Sequence, residues 1–179
     1  MNLPNRLTIL RVLMIPAFLV FLMVSEIPAG NWIALGIFIV ASITDLFDGK
    51  IARKYNLVTD FGKFMDPLAD KLLVCSAMIA LIELDKIPAW VVIIIIGREF
   101  IISGFRLVAS DNGVVIAASW WGKIKTTVQM VMIGFLIADL DFDAINVIEQ
   151  ILIYASLILT VVSLIDYIYK NKSVLSLKK

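Results

Sequence analysis

The chain has 179 residues, of which 61% are hydrophobic, a mean hydropathy of +0.97 and a net charge of +1. That apolar share exceeds the ~45–50% usual for soluble domains, and at this net charge no strongly basic balance suggests nucleic acid. With no histidine and one cysteine, His/Cys zinc sites, His-dependent triads and a disulfide framework are excluded, so any metal chemistry must use oxygen ligands.

Read against a bilayer span of about 20 residues, the apolar runs predict an all-α, polytopic integral membrane protein. Six transmembrane helices are expected near 8–25, 31–53, 64–83, 87–109, 118–138 and 145–168, and a short N-terminal interfacial helix over 3–11. Arg6 and Arg11 ahead of an apolar run look like a signal peptide. The charged stretch is long and itself amphipathic, however, which favours a retained anchor with Pro4 at a helix start and Pro16 as a possible kink. Breaks fall at Pro28-Ala29-Gly30, from Glu83 to Pro88, at Ser110-Asp111-Asn112-Gly113 and from Asp139 to Asp143. No linker, repeat or low-complexity tract divides residues 1–179, so one domain is expected. The apolar runs lack the alternating polar face of a membrane barrel. Cys75, within an apolar run, reads as a packed thiol.

Six spans sort the loops onto two sides, and 15 of the 16 Lys and Arg residues fall on the side of both termini, with Lys86 alone opposite. That side is expected to be cytoplasmic. Glu26, Glu83, Asp85, Asp139, Asp141, Asp143 and Glu149 mark the other.

The stretch Asp45-Leu46-Phe47-Asp48-Gly49-Lys50-Ile51-Ala52-Arg53, continued by Gly62, Asp66 and Asp70, places four carboxylates at the cytoplasmic end of the second and third helices. Charges near a bilayer are costly and tend to be functional. Asp45 and Asp48 stand at i, i+3, and Asp66 and Asp70 at i, i+4, so each pair shares a helix face. Two such faces brought together make an oxygen cage for divalent metal, suited to Mg²⁺ or Mn²⁺. Gly49, Ala52 and Gly62 are small enough for a bulky ligand to approach the backbone, and Arg53 is a fork-shaped phosphate donor. The competing account is ordinary pairing with Lys50, Arg53, Lys54, Lys63 and Lys71 at a solvated edge. It leaves the small residues at ligand-facing spacing unexplained.

These residues resemble the signature of the CDP-alcohol phosphotransferases, Asp-x2-Asp-Gly-x2-Ala-Arg-x8-Gly-x3-Asp-x3-Asp, and fill every fixed position of it over 26 residues. The resemblance implies a membrane enzyme in which an alcohol displaces CMP from a CDP-linked substrate, with two divalent cations held by the aspartates. It further implies that Asp45, Asp48 and Asp66 bind metal, while Asp70 touches metal and serves as general base. Gly49, Ala52, Arg53 and Gly62 would hold CDP, joined more loosely by Asn5 and Thr8, with Arg11 near the phosphates. A homodimer is also implied.

A second, basic constellation comprises Arg98, Arg106, Lys123, Lys125 and Thr126. Arg98 and Arg106 lie eight residues apart, roughly 80° around a helix, and could line one wall. Glu99 is placed to pair with one of them, and the lysines could instead be positive-inside residues at the start of a span. Together the group suggests a phosphate pocket beside the metal site, hence an acceptor that carries a phosphate. Arg98-Glu99, Arg106 and Trp121-Gly122-Lys123-Ile124-Lys125-Thr126 resemble the bacterial branch of the family that makes phosphatidylglycerophosphate. That likeness implies CDP-diacylglycerol and glycerol 3-phosphate as substrates, and a bacterial plasma membrane as location. Other acceptors, such as serine, inositol phosphate or a phospholipid, share the signature. A divalent-cation transporter would also carry intramembrane acids, but it would want them near the midplane and away from arginines.

Overall fold

The computed structural model describes residues 3–54, 60–111, 113–114, 116 and 119–172, with the backbone alone at 3–4, 45–54, 60–61, 63–64, 66–67 and 111. Among the described residues six α-helices follow one another, α1 (Leu3–Met23), α2 (Gly30–Lys54), α3 (Asp60–Glu83), α4 (Ala89–Asp111), α5 (Trp120–Ala138) and α6 (Asp143–Lys170). No strand occurs among the described residues. All six predicted helices form, with ends shifted by a few residues.

The expected separate interfacial helix is corrected. Residues 3–11 and the first apolar run form one element, α1, which continues through Pro16. Pro4 sits in its first turn, where the missing N–H would be unpaired anyway, and no breaker separates Asn5 from Ile15.

The chain divides into two compact units, Met1–Lys86 with Ile133–Asp139, and Ile87–Met132 with Leu140–Lys179. In the first, α1 packs against both α2 and α3. Its buried stripe, Asn5, Thr8, Arg11, Ile15, Phe18 and Leu22, follows the three-and-four spacing of one helix face. Gly30, Ala34, Phe38 and Ala41 form the corresponding stripe on α2, and Gly62, Ala69, Leu73, Ala77 and Leu81 that on α3. The Phe18 and Phe38 rings meet at 6.1 Å between centroids.

Three turns shape one end of this unit. After α3 the chain closes in a Schellman motif, with Asp85 N–H donating to Ile82 O at 3.0 Å and Lys86 N–H to Leu81 O at 2.9 Å. Asp85 takes the left-handed position at φ 56° that glycine more often fills. Asp139 after α5 and Ala29 before α2 are also left-handed, at φ 48° and 58°. Gly30 approaches α1 so closely that a Cβ there would lie 2.5 Å from Phe21 O. The ends of α1, α3 and α5 and the start of α2 line a cavity of about 550 Å³, in which Lys86 and Asp139 form an ion pair.

In the second unit α4 packs against α6. The α4 stripe is Val91, Ile95, Arg98, Ile102 and Ala109, and that of α6 is Ile153, Ser156, Thr160, Ser163 and Tyr167. Small hydroxyl residues let helix backbones approach closely where lipid supplies no hydrophobic drive, and Ser163 Oγ donates to Thr160 O at 3.0 Å.

Polarity is inverted relative to a water-soluble bundle. Arg11, Thr8, Lys125, Gln129, Ser156 and Thr160 are buried, while Leu13, Ile79, Ile93, Phe100, Leu107, Ile151 and Ile165 are exposed. Such a surface is costly in water and neutral in a bilayer. Among the described residues two helical stretches, Asn5–Met23 and Asp143–Lys170, are long and apolar enough to cross a membrane, with mean hydropathies of 2.0 and 2.2. Gly30–Thr44 is apolar but shorter.

Candidate active site

The aspartates occupy the end of the first unit remote from the Lys86–Asp139 pair. Asp45 and Asp48 lie about 22 and 27 Å along α2 from Gly30, and Asp66 and Asp70 about 26 and 20 Å along α3 from Glu83, at 1.5 Å per residue. On α2, positions 45, 48 and 52 continue the spacing of Ala34, Phe38 and Ala41. On α3, position 66 falls four residues after buried Gly62 and three before buried Ala69. Carboxylates thus take over the register that small and apolar residues hold elsewhere on the packed faces.

Asp70 is exposed and engaged in an interaction, one position off the buried stripe. The side chains of Asp45, Asp48, Ala52, Arg53 and Asp66, and the surroundings of Gly49, lie outside the described residues. The donor set is all oxygen, which suits hard divalent cations; positions 45, 48 and 66 continue the buried register of α2 and α3, and Asp70 stands beside it.

Asn5, Thr8 and Arg11 belong to the same half of the unit, because the other end of α1 adjoins the start of α2 and the end of α3. Thr8 and Arg11 have no exposed surface and Asn5 is 7% exposed. All three hold interactions there, so a polar interior replaces the Phe18–Phe38 core toward the aspartate end. A buried arginine is tolerated only where its charge is compensated.

The basic residues separate into two groups. Arg98 is 8% and Lys125 1% exposed, and both meet Glu99: Arg98 Nη1 donates to Glu99 Oε1 at 2.9 Å, and Lys125 Nζ donates to the same oxygen. The sequence-based expectation paired Glu99 with one cation; the fold joins it to two, from α4 and α5. Gly122 lies against this cluster, since a Cβ there would stand 3.4 Å from Arg98 Nη2 and 3.5 Å from Ser119 Oγ. The Gly122 N–H donates to Ser119 Oγ at 3.1 Å.

Arg106, Lys123 and Thr126 are exposed and have other neighbours. The Arg106 guanidinium sits 5.8 Å from the centroid of the Tyr167 ring, and Lys123 Nζ 5.9 Å from that of Trp120, both within cation–π range. Thr126 Oγ1 donates to Gly122 O at 3.0 Å. Arg98 lies in the packed stripe of α4, and Arg106, about 80° around the helix, is exposed and meets Tyr167 of the α6 stripe.

Sequence reasoning missed Tyr167, whose ring also takes the edge of Phe105 at 5.7 Å, and Ser119. A tyrosine at the end of a long apolar helix reads as an interfacial anchor, and nothing local marks it as a shelf for an arginine. Cys75 is half-buried and forms no disulfide.

A family model described as CDP-alcohol phosphatidyltransferase matches residues 1–162. The chain is 42% identical over 183 residues to the CDP-diacylglycerol–glycerol-3-phosphate 3-phosphatidyltransferase of Bacillus subtilis, covering 95% of each chain. It is 43% identical over 169 residues to a probable phosphatidylglycerophosphate synthase of Mycobacterium tuberculosis, covering 93% of this chain and 80% of that one. A Haemophilus influenzae protein bearing the same name as the Bacillus one is 39% identical over 176 residues, with 96% and 94% covered.

Proposed function

The chain belongs to the CDP-alcohol phosphatidyltransferase family, and from that membership we propose that it transfers a phosphatidyl group from CDP-diacylglycerol to sn-glycerol 3-phosphate. The products are phosphatidylglycerophosphate and CMP. The observation that carries this reading is near-full-length identity of about 40% to bacterial proteins named for that reaction in a chain that fills every fixed position of the aspartate signature.

In this reading residues 1–179 are one membrane domain with six spans, both termini and the aspartates facing the cytoplasm of a bacterium, and the active form is a homodimer. The inverted polarity of the packed faces and the basic bias of the loops support the placement. Asn5, Thr8, Gly49, Ala52, Arg53 and Gly62 hold the CDP moiety. Asp45, Asp48, Asp66 and Asp70 hold two divalent cations, Mg²⁺ or Mn²⁺, which when bound neutralise charge on the pyrophosphate. Arg98, Arg106, Lys123, Lys125 and Thr126 receive the acceptor's phosphate, and its hydroxyl gives its proton to Asp70. The acceptor oxygen then bonds to the phosphatidyl phosphorus as the bond from that phosphorus to the CMP oxygen breaks. Exposure of Asp70 suits a group that must meet a substrate arriving from water.

Purified full-length protein, given labelled CDP-diacylglycerol and a panel of glycerol 3-phosphate, serine, inositol phosphate and a phospholipid, should release CMP with glycerol 3-phosphate alone. Release with serine or the phospholipid in its place would replace the acceptor assignment.

A further inference from the structure

The carboxylate of Glu99 receives two cations, Arg98 from the preceding position of α4 and Lys125 from α5, on one oxygen. Both cations are more than nine-tenths buried, and Glu99 is itself only 22% exposed. Two like charges so placed repel each other and lose hydration, so the arrangement holds only with an anion between them. A planar guanidinium fixed through Nη1 and confined beside Gly122 at Nη2 has little orientational freedom left. The three groups together carry one net positive charge, directed by α4 and α5 rather than by a loop.

We propose that Glu99 is a positioning residue for the acceptor's phosphate: it holds Arg98 and Lys125 at the separation and orientation in which both can meet a phosphate group. This rests on the reading of the basic cluster as the acceptor site. Glu99 itself repels phosphate, so its contribution is geometric. A site keeping both cations without their common carboxylate would have more positive charge and bind the acceptor less well. That outcome separates positioning from simple charge attraction, which predicts tighter binding.

The test is steady-state kinetics of the full chain in detergent–lipid micelles, varying each substrate in turn, for Glu99→Gln, Glu99→Asp, Arg98→Gln and Lys125→Gln, alongside thermal melts. The expectation for Glu99→Gln is a KM for glycerol 3-phosphate raised about tenfold, the loss of one charge-assisted contact, with the KM for CDP-diacylglycerol within about twofold of wild type. Glu99→Asp, which keeps the carboxylate one methylene shorter, should recover part of the loss. If the Arg98 and Lys125 variants raise that KM and Glu99→Gln leaves it unchanged or lowers it, the positioning role is overturned and the acceptor site stands. If the Arg98 and Lys125 variants have no effect, the acceptor-site reading itself fails. Equal rises in both KM values with a lowered melting point, or failure of both Glu99 variants to fold, would make Glu99 a scaffold residue and overturn the proposal.

Discussion

Position 66 stands in the register between Gly62 and Ala69 on α3, and the proposed function assigns its carboxylate to metal binding. Asp66→Asn keeps the shape and removes the charge. Turnover should fall on the order of a thousandfold or more, as expected for loss of several kcal/mol of metal-centred stabilisation, while insertion and melting stay as in wild type. Activity near wild type with Mg²⁺ or Mn²⁺ supplied would remove Asp66 from the cage. Arg106 poses a different case, being exposed and shelved on Tyr167. Should it contact the acceptor's phosphate, Arg106→Ala deletes a charge-assisted contact of roughly 1.5–3 kcal/mol. The KM for glycerol 3-phosphate would then rise between about tenfold and a hundredfold. An unchanged KM would restrict the acceptor site to the buried Arg98–Lys125 pair and its near neighbours.

At the scale of elements, the tight point is the join between α1 and α2. Phe21 O is a backbone atom, so α1 would have to shift to admit a side chain at position 30, and the left-handed Ala29 just before it leaves little slack. Gly30→Ala should therefore cost about 1–3 kcal/mol, read as a lower midpoint in thermal unfolding of the purified protein. A midpoint equal to wild type would show that the turn yields. The Schellman turn after α3 offers the opposite sign. Asp85 occupies a left-handed position at φ 56°, where glycine carries no Cβ penalty. Asp85→Gly should be neutral or slightly stabilising there, since the strain relieved offsets the greater freedom of the unfolded chain.

For the whole molecule the testable quantity is sidedness. The Lys86–Asp139 pair and the ends of α1, α3 and α5 lie together, opposite the aspartates within the first unit. In a Cys75→Ala background, Asp141→Cys should react with a membrane-impermeant thiol reagent added to intact cells. Asn56→Cys should react only after the cells are opened. The reverse pattern would place the nucleotide site on the outer face, where CDP-diacylglycerol chemistry has no supply of substrate, and the proposed function would fall with it.

The sequence by itself determined the six helices and the aspartate signature. Apolar lengths near a bilayer span and breakers such as Pro28, Pro88 and Gly113 act locally, and the signature's spacing is written along two adjacent helices. It did not determine which face of α4 turns inward, that Glu99 gathers two cations, that Arg106 rests on Tyr167, or that the basic N-terminal stretch belongs to α1. Those depend on which helix packs against which, a matter of tertiary structure. The physical reason lies in the solvent. In water an amphipathic period marks the buried face of a helix, but the lipid-facing and packed faces here are both largely apolar, so the period is weak. Only packing decides which of the few polar groups come to share an interior, as Thr8 and Arg11 do in the first unit and Arg98 and Lys125 do in the second.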